Sequence, residues 1–260
     1  MSGTLAPVVA VHAAQRGFVV AAWDRKIVSA SDVRAGTEYL ANARCQAILH
    51  LALGETSWAA MLAKHAADYK LPFVYVSTAM VFDRLPNGPH QITDERTARD
   101  EYGQYKIRCE DAIRAVNPKS SIVRIGWQID EKAVGNNMLA HLDEQQMRNG
   151  RIMASRGWRP ACSFMSDTAG VLLDCVATEQ SGTFHMDSNA TEGHTFDEIV
   201  TALKKQYRRD HWNIEVDESY VHDQRLKAPA MLGPHLSARL PSLLTAATAI
   251  APDIDKFTFD

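Results

Sequence analysis

The chain has 260 residues, 46% of them hydrophobic and 23% charged, with a formal net charge of -3. Such a chain can bury a sizeable core without disulfides or metals, and its balanced charge argues against nucleic acid as the main partner. The densest basic stretch, Lys204-Lys205 with Arg208-Arg209, interrupts a helical pattern and reads as a solvated face. Cys45, Cys109, Cys162 and Cys175 form no CxxC pair, which fits neither a zinc site nor a disulfide framework and points to a reducing cytoplasm. No apolar run reaches the roughly 18 residues of a membrane span, and no basic stretch followed by an apolar leader opens the chain.

In chain order, residues 6–15 have helical composition, and residues 18–23 are apolar throughout and end in Asp24, which predicts a buried strand. A second apolar run, 47–53, is halted by Gly54; a third covers 73–76 and a fourth 121–125. The segments 56–69 and 102–116 between them are helical, the latter stopping at Asn117-Pro118. Runs apolar on both faces and separated by helices predict a doubly wound parallel α/β sheet. Ligands of such sheets bind beyond the carboxyl ends of the strands, here Asp24, Ala52-Leu53-Gly54, Ser77-Thr78 and Arg124 to Trp127. The second half is less regular: helices over 136–148, 166–177 and 195–207, short strands over 182–186 and 213–216, and a surface loop over 229–241.

Tyr102 and Lys106 stand four residues apart, on one face of a helix. A phenol with a pKa near 10 is a weak base at neutral pH, and an ammonium one turn away favours its anion. The pair is suited to moving the proton of an alcohol–ketone interconversion. Ser77-Thr78, directly after an apolar strand, adds hydroxyls able to hydrogen-bond a substrate carbonyl.

The stretch from Phe73 through Ser77-Thr78-Ala79-Met80-Val81-Phe82-Asp83, followed by Tyr102-Gly103-Gln104-Tyr105-Lys106, resembles the extended short-chain dehydrogenases. It is most similar to the dTDP-4-dehydrorhamnose reductase branch, with Val123-Arg124-Ile125-Gly126-Trp127, Gly135-Asn136-Asn137-Met138, Pro160 and Gly182-Thr183-Phe184-His185 following in order. The resemblance implies a Rossmann-like dinucleotide-binding domain over 1–130 and a smaller C-terminal substrate lobe over 131–260 whose elements return to the main domain. It further implies hydride transfer between NAD(P)H and a keto group of a nucleotide-linked sugar. Thr78 would polarise the carbonyl, Tyr102 would supply the proton, and Lys106 would lower the phenol pKa and hold the nicotinamide ribose. Gly3, Thr4, Leu5, Asp24, Arg25, Leu51, Ala52 and Leu53, with Tyr102 and Lys106, would line the cofactor. Ser77, Asn136, Asn137 and Arg159 would meet the substrate, although the two asparagines read equally well as a helix N-cap.

The chain departs from the family pattern at its start. Met1 to Pro7 matches only the second half of the Gly-rich turn, with Gly3 and Ala6 in the glycine positions and no counterpart of the first strand. Asp24 favours the ribose of NAD and Arg25 the 2′-phosphate of NADP, with a slight lean to NADP. Ala79-Met80 replaces an Asp-Tyr pair and Ser155-Arg156 an Asp-Gln pair; Arg156, Trp158 and Arg159 could contact an anionic substrate. The alternative is a non-catalytic, dehydrogenase-like binding or regulatory subunit without normal cofactor binding. A small nucleotide-sugar partner and a homodimer, with no nucleic acid and no membrane, complete the expectation.

Overall fold

The computed structural model of the chain describes residues 3–132, 135–228 and 232–244. Its first half contains α1 (Leu5–Gln15), α2 (Val33–Ala43), β1 (Ile48–His50), α3 (Thr56–Asp68), β2 (Phe73–Thr78), α4 (Glu101–Val116) and β3 (Ser121–Ile125). There follow β4 (Trp127–Ile129), α5 (Met138–Asn149), β5 (Ile152–Ser155), β6 (Trp158–Arg159), β7 (Cys162–Phe164) and α6 (Met165–Ala177). The chain then forms β8 (Gly182–Met186), α7 (Phe196–Gln206), β9 (Ile214–Asp217), β10 (His222–Asp223) and α8 (Leu236–Arg239).

The main sheet is parallel, in the order β1-β2-β3-β8. Side chains alternate along each strand, and here both sets are apolar. Phe73 and Tyr75 of β2 and Ile122 of β3 enter one cluster with Trp58, Leu62, Cys109 and Ile113 from α3 and α4. Val74, Val76 and Val123 enter another with Val9 and Ala13 of α1 and Leu172 of α6. Helices therefore cover both faces, as continuous apolar strands require. Ala59, Ala63 and Ala66 are fully buried along α3, a small-residue stripe on its packed face.

Residues 18–23 do not form the expected strand. Val19 is fully exposed, and Phe18 and Val20 are exposed beside it. An apolar run becomes a strand only beside a ladder partner, and among the described residues no strand pairs with the outer edge of β1. The chain instead turns at Asp24, whose carbonyl accepts from the amides of Ile27 (3.1 Å) and Val28 (3.0 Å). Helix α2, which the hydrophobic pattern did not announce, starts at Asp32, whose carboxylate caps the Ala35 amide at 2.9 Å.

A second core gathers Ile129, Leu142, Ile152, Phe164, Ile199, Leu203 and Trp212. Three short parallel pairs, β4 with β7, β5 with β9 and β6 with β10, frame it. Helix α7 opens with a reciprocal capping box between Thr195 and Glu198. Of the surface loop expected over 229–241, residues 229–231 lie outside the described residues, and Leu236–Arg239 is helical with Leu236 buried. The long connection after β2 joins the two cores: Gly88 N donates to Asp223 O and His90 N to Arg225 O, each at 2.8 Å, and Lys227 N returns to His90 O at 2.8 Å.

Candidate active site

Helix α4 begins where Asp100 accepts from the Gly103 amide at 2.8 Å. Gly103 lies against the turn after β2, and a Cβ there would overlap the Met80 carbonyl oxygen and the Ala98 methyl. That close approach seats Tyr102 over the end of β2, with its hydroxyl within reach of the Thr78 side chain, which lowers the phenol pKa. Thr78 is nearly buried and also accepts from the Met80 amide at 3.2 Å, while Tyr102 keeps 39% exposure. Burial raises the phenol pKa, the Thr78 hydrogen bond opposes that rise, and the Asp100 carboxylate adds to it.

Lys106 is 3% exposed, and its ammonium donates to the Val76 carbonyl at 2.8 Å. The ammonium lies 4.6 Å from the Tyr75 ring centroid, 5.9 Å from that of Tyr105 and 6.0 Å from that of Tyr102. Burial pulls the ammonium pKa down to about 8, against the raising influence of Cys109 and Glu110. Lys106 thus sits toward the ring face of Tyr102, and desolvation outweighs the lowering of the phenol that the helical spacing suggests.

The proposed cofactor residues converge in part. The Arg25 guanidinium reaches the Leu53 carbonyl and stacks 5.1 Å over the Trp58 ring, so the turn after residues 18–24 meets the segment that follows β1. Tyr105 binds the same turn, its hydroxyl accepting from Gly54 N at 3.1 Å. Leu5 and Leu51 share one apolar cluster, and Ala52 packs against the cluster of the opposite face. The Asp24 carboxylate accepts from Lys26 N at 2.9 Å. Gly3, with φ of 108°, precedes α1, whose N-cap residue Thr4 makes no side-chain cap. Free helix amides behind a left-handed glycine fit an anionic pyrophosphate.

Of the four residues expected to meet the substrate, three are engaged within the fold. Ser77, one residue before Thr78, faces the other side of β2 and donates to Glu110 Oε1 at 2.5 Å. Asn137 is buried and caps α5, its Oδ1 accepting from Ala140 N at 3.0 Å, while Asn136 is exposed. The Arg159 Nε is directed to the Gly193 carbonyl at 3.1 Å. The pattern also missed a buried cluster of Glu110, Arg124 and His185 beneath the tyrosine–lysine helix. Its signals were a carboxylate one turn past Lys106 and an arginine inside the apolar strand 121–125. A cleft of about 240 Å³ opens in the second core, walled by Trp127, His141, Ser155, Trp158, Phe196 and Tyr220. Trp127 stands two residues past Ile125, the register partner of Thr78.

A parallel sheet covered on both faces, with a tyrosine–lysine helix over the threonine at a strand end, defines a Rossmann-like α/β fold. The chain belongs to the RmlD substrate binding domain family, whose model matches residues 1–231. It is 38% identical over 66 residues to a probable low-salt glycan biosynthesis reductase of Haloferax volcanii, a match covering 25% of this chain and 22% of that one. It is 27% identical over 116 residues to a dTDP-4-dehydrorhamnose reductase of Mycobacterium tuberculosis, covering 43% of this chain and 38% of that one. Both matches therefore span well under half of the relative's length. A Bacillus anthracis dTDP-4-dehydrorhamnose reductase solved with NADP superposes with a TM-score of 0.78 at 15% identity, covering 94% of this chain and 96% of the other. At that identity the superposition establishes the fold. No helix among the described residues is long and apolar enough to cross a membrane.

Proposed function

We propose that the chain is an NAD(P)-dependent reductase acting on a keto group of a nucleotide-linked sugar. The observation that carries this reading is the docking of Tyr102 on Thr78 beside the buried Lys106 at the end of β2. Membership of the RmlD family and the names of the relatives support the substrate class. The bound nicotinamide would supply a hydride to the carbonyl carbon. Thr78 would hold the carbonyl oxygen, and Tyr102 would deliver the proton to it as the alcohol forms. Lys106 would hold positive charge beside the phenol and the nicotinamide ribose. Gly3, Thr4 and Leu5 would meet the pyrophosphate, and Asp24 with Arg25 the adenosine ribose, where Arg25 favours NADP.

The test is NAD(P)H oxidation with a panel of nucleotide-linked keto sugars, comparing wild type with Tyr102→Phe. Loss of the proton donor lowers kcat by roughly 10²–10⁴-fold; equal rates would remove Tyr102 from the mechanism.

One observation favours a second reading, a binding or regulatory subunit. Residues 18–23 are a loop, and Arg25 is already engaged by Leu53 and Trp58. That reading expects no heat of NADH or NADPH binding by calorimetry, and micromolar affinity for either would overturn it. The four free cysteines support a cytoplasmic location, and the mass in solution tests the homodimer.

A further inference from the structure

Helix α4 is bound to the sheet by a charge cluster that the proposed chemistry does not use. Glu110, 2% exposed, stands one turn beyond Lys106 on the same helix face. Its carboxylate accepts from the Ser77 hydroxyl at 2.5 Å, Arg124 Nε at 3.0 Å, a terminal Arg124 nitrogen at 2.8 Å and Arg96 at 3.2 Å. Two of these partners are strand residues: Ser77 adjoins Thr78 on β2, and Arg124 lies opposite Ser77 on β3. Arg96 also pairs with Asp111 at 2.7 Å. Arg124 continues to His185 Nε2 at 3.4 Å; His185 Nδ1 lies 2.9 Å from the Lys227 carbonyl and so carries the proton.

Lys106 itself makes no ion pair among the described residues: its recorded contacts are the Val76 carbonyl and three aromatic rings. The titratable groups facing it are Tyr102, Tyr105, Cys109 and Glu110 on α4, Tyr75 on β2 and His50 on β1. Among these Glu110 alone is a carboxylate. His50 is kept neutral by burial and by the charges of Lys106 and Arg25, and burial pushes the Tyr75 phenol far up.

We propose that Glu110 is a positioning residue with two linked effects: it fixes α4 in rotation against β2 and β3, and it is the counter-charge that keeps the buried Lys106 ammonium protonated. Rotation and charge are coupled because the same oxygens that accept from Ser77 and Arg124 stand one turn from the lysine. Burial opposes the ammonium, and Cys109 and Glu110 support it; of the two Glu110 is the carboxylate, so neutralising it moves the lysine toward the free amine. The consequence for turnover rests on the reductase reading; the protonation of Lys106 does not.

The experiment is an NMR titration of lysine 13Cε resonances in the full chain without cofactor or substrate, with Lys106 assigned by Lys106→Arg. Glu110→Gln is expected to lower the Lys106 midpoint by about half a unit or more. Arg96→Gln, which withdraws a cation from Glu110 at a partly exposed position, is expected to raise it. Ser77→Ala removes one hydrogen bond and no charge, and is expected to leave the midpoint in place. An unmoved midpoint in Glu110→Gln overturns the proposal, and so does an equal shift in Ser77→Ala, which would mean simple repacking. If Glu110→Gln fails to fold, Arg96→Gln decides, and a null or downward shift sinks the idea. In turnover, the basic limb of kcat/KM should follow the Lys106 midpoint. A chain that oxidises no NAD(P)H would end the reductase reading and leave the titration to judge Glu110.

Discussion

Ser77 and Thr78 carry the same functional group and lie one residue apart, yet the sheet sends them to opposite destinations. Strand alternation dictates that they point to opposite faces. Both nevertheless reach α4, Ser77 at the buried Glu110 on the packed face and Thr78, at the strand's end, at Tyr102 in the first turn of the helix. Thr78 receives the phenol, while Ser77 is consumed by Glu110. Replacement by the isosteric valine isolates the hydroxyl. Thr78→Val is expected to lower kcat/KM by roughly 10-fold or more, because the Tyr102 phenol loses the hydrogen bond that opposes its burial. The stability cost should stay near 1–2 kcal/mol, since the hydroxyl also accepts from Met80 N. Thr78→Ser should recover most of the activity. Steady-state kinetics on the three proteins, with urea denaturation of each, reads both effects; full activity in Thr78→Val would remove Thr78 from the site.

At the level of elements, sequence pattern succeeded where a segment's neighbours were implied by its own composition. The apolar runs over 73–76 and 121–125 became the inner strands, and the short strand expected over 182–186 pairs beside them. Residues 18–23 have the same composition and became a loop, because pairing is a property of the sheet and not of the run. Strands β6 and β10, of two residues each, and β4 and β7, of three, are too short to display any period, so the frame of the second core was illegible. Helix α4 was legible, but the reason it can dock was not: Gly103 lies in an ordinary helical turn, and only the structure reveals the Met80 carbonyl against it. Gly103→Ala sets two effects against each other. Helix propensity favours alanine by about 1 kcal/mol, whereas overpacking against backbone costs roughly 1–3 kcal/mol. The contacted atom is a carbonyl oxygen with no rotamer to yield, so the clash should win. The expected result is net destabilisation in urea and a larger fall in kcat than in KM, as the first turn lifts Tyr102 from Thr78. A stabilised, fully active variant would show that the close approach is not needed.

Across the whole molecule, the two cores meet at a group of buried histidines drawn from distant parts of the chain. His90 comes from the connection after β2, His185 from β8 and His222 from β10, and no local pattern could have associated them. Phe82 stacks on His90 with centroids 4.4 Å apart and meets His185 edge-on at 5.9 Å. Burial depresses all three: His185 and His222 fall to about 4, and His90 also falls, despite the carboxylates of Asp94 and Asp223. The Arg124 charge adds to the fall at His185, and His90 and Arg84 add to it at His222. The sign of the stability effect follows from linkage. Below about pH 6.5 the unfolded chain takes up protons that the folded chain refuses, so stability falls as pH falls from 6.5 toward 4. Each histidine held near 4 removes about 1.5 kcal/mol between pH 6.5 and 5, the slope approaching 1.36 kcal/mol per pH unit only well below 6.5. Glu110, whose pKa is lowered by its arginine partners despite its burial, gives up its contribution only below the ordinary glutamate value, whereas the buried Asp187, pushed up to about 7 by desolvation, gains stability as pH falls through the same window and opposes the histidines. Urea denaturation at half-unit steps from pH 7.5 to 4.5 therefore reads the histidines by difference: His222→Gln should lose less stability, or gain more, than wild type as pH falls from 7 to 5. Parallel profiles of wild type and His222→Gln from pH 7 to 5 would mean that the His222 imidazole reaches solvent, and that the junction between the cores is looser than its buried rings imply.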